Sequence, residues 1–129
     1  MGVKFTNNAK TTLASGINSS ATSVSVVSSS GFPSLSGSDY FYATLDDDDS
    51  NLEIVKVTNV SGTTWTITRA QDNTTAKAYS SGDKIELRAS AGLFTDLLNE
   101  KAPKADPTFT GNITIGSAEI SETELEILD

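Results

Sequence analysis

The run LEIVKVTNVSGTTWTITRAQ, residues 52–71, decides the fold because it holds two strand patterns with a turn signal between them. Residues 52–58 are rich in β-branched and aliphatic side chains, and residues 64–68 alternate threonine with large apolar residues. The interval 59–63 contains Gly62, which adopts a positive φ without steric cost. We therefore predict a β-hairpin whose loop spans residues 59–63.

The alternation in this hairpin predicts which side chains enter a core. Trp65 and Ile67 fall on one face of the second strand, and the threonines at positions 64, 66 and 68 fall on the other. We expect the two apolar residues to be buried and the threonines to be exposed. Extended to the neighbouring strands, this reasoning gives an expected core of Val24, Val26, Val55, Val57, Trp65, Ile67, Ile85 and Leu87.

Four further short runs have strand character, at residues 11–14, 23–26, 40–45 and 84–88. Glycine, asparagine, aspartate and serine punctuate the intervals between them, which is typical of turns and short loops. About six strands at this spacing predict a mainly β fold, a small antiparallel β-sandwich or barrel, over residues 1–90. We call residues 1–90 the β domain.

The apolar period changes to that of a helix over residues 91–102. Ser90 is a suitable N-cap, and Pro103 ends the helix. An isolated helix of this length is marginal in water, so its apolar stripe needs a partner. Docking on the β domain and self-association into a parallel trimer remain equally good alternatives. The stripe consists of Leu93, Phe94, Leu97 and Leu98.

Residues 103–129 are too short and too polar to build a core of their own. Their larger apolar residues include Phe109, Ile113 and Ile115, with small residues between them. We expect this segment to be extended and to dock on other chains, or else the natural chain continues beyond Asp129.

Composition excludes several classes of chemistry. The 129 residues include no cysteine and no histidine, which removes disulfides, thiol nucleophiles, histidine-based acid–base catalysis and most zinc sites. No apolar run approaches the roughly 20 residues that cross a membrane. Serine and threonine make up 35 of the 129 residues, so the chain can bury one modest core and not two. We expect no enzyme activity, no cofactor and no membrane insertion.

The formal net charge of −8 disfavours binding to nucleic acid through phosphate contacts. This charge is unevenly distributed. Residues 1–90 carry 7 basic and 9 acidic side chains, whereas residues 91–129 carry 2 basic and 8 acidic ones. The resulting net charges, −2 and −6, indicate two parts with different roles.

The acidic run Asp46 to Asp49 is a candidate calcium site. An EF-hand loop starting at Asp46 would need glycine and glutamate where this chain has Asn51 and Val57, so that motif is excluded. A looser calcium site stays an alternative, but we favour a solvated acidic turn and expect no metal.

Two other polar groups have functional and structural interpretations. Glu53 and Glu86 could form the carboxylate pair of a glycosidase, but we favour exposed strand faces beside lysines for both. Residues 69–76 form a polar loop that either binds a partner or, as we favour, uses its own side chains to cap its backbone.

Three segments resemble proteins of tailed bacteriophages. Residues 53–83, with EIVKVT, SG, WTITRAQD, TTA and SGD in that order, resemble a β module of phage structural and tail-fibre proteins. This chain has Ala70 and Asn73 where that module usually has glycine. Residues 101–111, KAPKADPTFTG, resemble a linker of phage tail fibres, and residues 120–129, ISETELEILD, are similar to a segment of marine-phage fibre proteins.

The resemblance implies the virion-proximal part of an elongated, homotrimeric fibre in a phage virion. Residues 1–90 would then be an attachment domain that docks on another virion protein of the tail, baseplate or capsid. Residues 91–102 would be a trimer stem, and residues 103–129 a linker and the start of a shaft. The expected trimer interface comprises Leu93, Phe94, Leu97, Leu98, Phe109, Ile113 and Ile115.

Two other functions remain open from the sequence. A carbohydrate-binding adhesin would present Tyr40, Tyr42 and Trp65 to glycans, although we favour a core position for all three. The chain could also be the non-catalytic head of a tailspike depolymerase.

Overall fold

The computed structural model describes residues 2–100 and the backbone of the strands at 113–115 and 118–120. The chain is mainly β, with antiparallel strands and one short helix in this part, as the sequence predicted. The elements, in chain order, are β1 (Lys10–Thr12), β2 (Ser23–Ser25), β3 (Phe41–Asp46), β4 (Leu52–Ser61), β5 (Thr64–Gln71), β6 (Lys84–Glu86), α1 (Ala91–Asn99), β7 (Ile113–Ile115) and β8 (Ala118–Ile120).

The first six strands form one antiparallel sheet in the order β1-β6-β3-β4-β5-β2. The sheet curls into a half-barrel, and its two edges meet at one end through a bridge between Leu13 and Val26. Two hydrogen bonds flank this bridge, because Ala14 N donates to the Ser25 carbonyl at 2.8 Å and Val27 N donates to the Thr12 carbonyl at 3.0 Å. Pairing of the edges satisfies backbone groups that an open sheet would leave free.

The hairpin of β4 and β5 is tighter than the sequence predicted. Pairing continues to Ser61 and Thr64, so the connection contains only two residues and not the five expected at 59–63. Gly62 in this turn has a φ of 59°, which lies in the left-handed region where glycine is the favoured residue. Strand pairing therefore extends into residues whose asparagine and serine had indicated a loop.

The core lies on the concave side of the sheet, centred on Trp65. Its ring lies 4.7 Å from that of Phe32 and 5.4 Å from that of Phe41, and its indole N–H donates to Ser29 Oγ at 2.8 Å. Seven of the eight expected core residues are at most 2% exposed, and Leu87 is partly buried against them. The threonines at positions 64, 66 and 68 are exposed.

Candidate functional site

The helix α1 and its contacts with the β domain form the candidate functional site. The helix ends at Asn99, three residues before the predicted end. Ser90 is the N-cap, as predicted, and its side chain accepts a hydrogen bond from Leu93 N at 3.2 Å. Asp72, from the loop after β5, accepts a second one from Gly92 N at 2.9 Å. A carboxylate at this end also stabilises the helix dipole.

The middle of α1 is held by two tyrosines. Asp96 Oδ2 accepts hydrogen bonds from the hydroxyls of Tyr40 at 2.5 Å and Tyr42 at 2.7 Å. Both tyrosines are half-buried, and the Lys56 ammonium lies 4.1 Å from the Tyr40 ring centroid. Burial, followed by the hydrogen bond to Asp96, raises the pKa of Tyr42 to about 12 and raises the pKa of Tyr40 as well. Both hydroxyls thus stay protonated donors at neutral pH.

The C-terminal end of α1 is tied to the start of the chain. Glu100 Oε1 accepts a hydrogen bond from Val3 N at 2.8 Å. A Cβ on Gly2 would lie 2.5 Å from Glu100 Oε1, so a side chain there would displace this flexible carboxylate from its hydrogen bond. An acidic residue at a helix C-terminus is unfavourable for the dipole, so its position is explained by this bond. We call the carboxylates of Asp72, Asp96 and Glu100 the α1 clamp.

The apolar stripe of α1 divides between two sides of the helix. Leu93 is buried and Leu97 is partly buried, on the side that carries Asp96. Leu93 is therefore covered by its own chain, which favours the alternative that the helix docks on the β domain. Its place in a trimer interface stays a prediction. Phe94 and Leu98 lie on the other side and are 57% and 67% exposed.

The remaining residues of the expected trimer interface lie further along the chain. Phe109 is outside the described residues. Ile113 and Ile115 form β7, in which they pair with Ile120 and Ala118 of β8.

Glu53 is buried, although its sequence context had predicted an exposed strand face. Glu53, Val55 and Val57 are alternate residues of β4, so their side chains lie on the same, buried side of the strand. This alternation was the sequence signal that could have revealed the burial of Glu53. Its carboxylate accepts two hydrogen bonds from Arg69 at 2.8 Å, and the backbone N–H groups of Ala70 and Lys77 donate at 2.9 and 3.0 Å. Four hydrogen bonds thus compensate the burial of this charge.

Arg69 uses its remaining donors on carbonyls of two loops. It bonds to Asn18 and Ala21, which precede β2, and to Lys77, which precedes β6. In the same loop, Thr74 Oγ1 donates to the Gln71 carbonyl at 2.6 Å. Thr74 thus caps the backbone of this segment, as the structural interpretation predicted. Residues 69–71, however, belong to β5, and Asp72 accepts a hydrogen bond from Gly92 N of α1 instead of capping its own loop.

The acidic run forms a turn whose side chains pair with the protein. Asp46 contacts Arg88 at 2.9 Å, and Asp48 contacts Lys84 at 2.8 Å. Asp47 accepts from Asn51 N and Nδ2, and the N–H bonds to this carboxylate lower its pKa. In the described ranges, no group of three or more acidic side chains is arranged to hold a metal ion.

The three aromatic residues of the glycan-binding alternative do not form an exposed platform. Trp65 is completely buried, as expected. Tyr42 in β3 and Tyr40 just before it were expected in the core, but both are half-buried and direct their hydroxyls to Asp96 of α1. They therefore serve the docking of the helix.

No family model matches the chain. No curated protein is significantly similar to it. Within residues 2–100 and the two later strands, no helix is long and apolar enough to cross a bilayer.

Proposed function

We propose that this chain is a non-enzymatic structural protein of a phage virion, the N-terminal anchor of a homotrimeric fibre. In this proposal the β domain attaches to another virion protein of the tail, baseplate or capsid. The helix α1 starts the stem, and the segment after it leads into the shaft. The linker-like residues 101–111 and the β module at residues 53–83 support this assignment through their resemblance to phage fibre proteins.

The observation that carries the proposal is the position of α1 at the exit of the chain from the β domain. The clamp fixes one side of the helix, while Phe94 and Leu98 remain exposed on the other. A rigid domain followed by a fixed helix with a free apolar side suits a fibre anchor. Such a helix sets the direction of the segment that follows and offers a surface for association.

The native mass of the purified full chain tests the assembly. Native mass spectrometry and light scattering at micromolar concentration should give three chains of 13.5 kDa each. A monomer throughout this range contradicts the proposed trimer.

The virion role has a separate test. Peptides of this chain should be found by mass spectrometry in phage particles purified by density gradient from the source that encodes it. Their abundance relative to the major capsid protein should match a fibre present in a few copies per particle. Absence from intact particles contradicts the role in the virion, whatever the native mass is.

A further inference from the structure

We propose that residues 2–4, which we call the N-terminal strap, lock the C-terminal end of α1 in place. In this proposal the strap and the end of the helix are ordered together and released together. The inference concerns contacts within one chain, so it can be tested apart from the trimer and from the virion role.

The N-terminal strap pairs with the residue that precedes β3. Val3 and Tyr40 form a parallel bridge, in which Lys4 N donates to the Tyr40 carbonyl at 2.7 Å and Tyr40 N donates to the Gly2 carbonyl at 3.1 Å. The Val3 side chain is buried. A strand pairing of this length is not stable alone in water, so the strap needs a further contact.

That further contact is with the helix. Glu100 Oε1 accepts a hydrogen bond from Val3 N at 2.8 Å, and the Tyr40 hydroxyl donates to Asp96 at 2.5 Å. Tyr40 thus bonds to the strap through its backbone and to α1 through its side chain. Together these bonds form a closed network of strap, Tyr40 and the last turn of α1. Groups in one hydrogen-bond network are coupled, so the loss of one contact weakens the others.

The strap and the helix are also set apart from the main core. Among the described residues, Val3 and Leu93 are buried but lie outside the core cluster around Trp65, to which the other buried apolar residues belong. Opening of the strap and α1 therefore leaves that cluster intact. Such a local opening costs less free energy than global unfolding.

The two ends of α1 are held by different segments. Ser90 and Asp72 accept hydrogen bonds from the first turn, and neither contact involves the strap. The C-terminal end depends on Glu100, whose partner Val3 lies 97 positions away in the sequence. Release of the strap should thus free the last turn of the helix first. A change at the strap is thereby transmitted to the point where the chain leaves the β domain.

The first test breaks the strap in the full chain. Lys4→Pro removes the N–H that bonds to Tyr40, and the Lys4 side chain is exposed. Amide hydrogen exchange of residues 97–100 should become at least about tenfold faster, while exchange in the first turn of α1 changes less than about threefold. Thr6→Ala is the matched control, because it removes a hydrogen bond from the same segment to the Gly31 carbonyl and not to Tyr40 or α1. Unchanged exchange of residues 97–100 in a folded Lys4→Pro variant overturns the inference.

The reciprocal test starts from the helix and decides the matter if Lys4→Pro does not fold. Glu100→Ala removes the acceptor of the Val3 N–H. Taken alone, this change should stabilise the helix, because alanine favours helices and the variant loses a negative charge at the C-terminal end. If the strap locks the helix, exchange should instead become faster in residues 97–99. The amides of Val3 and Lys4 should also exchange at least about tenfold faster.

Asn99→Ala is the control for this variant, since it replaces a neighbouring exposed side chain and should leave exchange in the strap unchanged. Trp65 fluorescence should show that both variants keep the core. A Glu100→Ala variant whose strap is as well protected as in wild type overturns the inference. Neither the native mass nor the presence of the chain in phage particles enters this result, so the proposed function is judged separately.

Discussion

At the scale of single residues, Ala70 is an alanine at a backbone position where glycine is usual. Its φ of 54° lies in the left-handed region, at a point where the register of β4 and β5 shifts. Glycine is the usual residue at such a bulge, since a Cβ is disfavoured there. The Glu53 carboxylate accepts the Ala70 N–H at 2.9 Å and helps to hold this conformation. In this chain an alanine thus occupies the left-handed position of the bulge in β5.

Ala70→Gly should raise the free energy of unfolding by about 0.5–1 kcal/mol, because relief of the left-handed strain exceeds the added entropy of the unfolded chain. Urea denaturation followed by Trp65 fluorescence measures this change. Ala76→Gly is the control, since Ala76 lacks a positive φ and the variant should lose stability. An Ala70→Gly variant less stable than wild type would contradict the prediction.

The buried pair of Glu53 and Arg69 should be far more sensitive to single than to double replacement. Glu53→Gln or Arg69→Met should each cost about 3–5 kcal/mol, because each leaves the partner charge buried and unpaired. The double variant should lose less than the sum of the two. Glu86→Gln, at the partly exposed pair of Glu86 and Arg88, should cost at most about 1 kcal/mol. Additive losses at Glu53 and Arg69 would show that the pair acts as two independent groups.

This pair also predicts how stability depends on acid. Burial raises the pKa of Glu53, but the hydrogen bonds from Arg69, Ala70 and Lys77 outweigh it and hold the pKa below its ordinary value of 4.5. A carboxyl group with a lowered pKa stabilises the fold above its unfolded value, and this stability is lost as the pH falls through the folded value. The free energy of unfolding should therefore decrease below about pH 4.5, and less steeply in Glu53→Gln.

At the scale of elements, the α1 clamp should stabilise the helix against local unfolding. Asp96→Ala removes the acceptor of two tyrosine hydroxyls, each bond to a charged group being worth roughly 1.5–3 kcal/mol. Amide hydrogen exchange of residues 91–99 should become at least about tenfold faster, while exchange in β4 and β5 stays unchanged. Thr95→Ala, on the exposed side, should leave the exchange rates as they are. Unchanged exchange in Asp96→Ala would show that burial of Leu93 alone holds the helix.

The same elements show what alternation and capping rules can predict. The period of two in β4 and β5 predicted the buried side of both strands, and Ser90 predicted the start of α1. Glu53 was misplaced because charged residues are rarely buried. Its partner Arg69 lies 16 positions away, in the part of β5 that the sequence had indicated to be a loop and that gave no pairing signal. The clamp was missed for a similar reason. Its acceptors and donors come from separate segments that only the curled sheet brings together.

At the scale of the whole molecule, the uneven charge predicts how salt affects association. Residues 91–129 carry a net charge of −6, from 2 basic and 8 acidic side chains, and a trimer would bring three such segments together. The screening length falls from about 30 Å at 0.01 M salt to about 8 Å at 0.15 M. Added salt should thus weaken this repulsion between copies and leave apolar contacts in the proposed trimer intact.

Sedimentation equilibrium of the full chain at 0.01 and 0.15 M NaCl should show a dissociation constant several-fold lower at the higher salt concentration. The control replaces Glu122, Glu124 and Glu126 with glutamine, which halves the net charge of residues 91–129 to −3. This variant should associate more tightly than wild type at 0.01 M and respond less to salt. A dissociation constant that rises with salt would mean that ion pairs between copies dominate the interface. The uncharged side of α1 that carries Phe94 and Leu98 could not then be the main contact between copies.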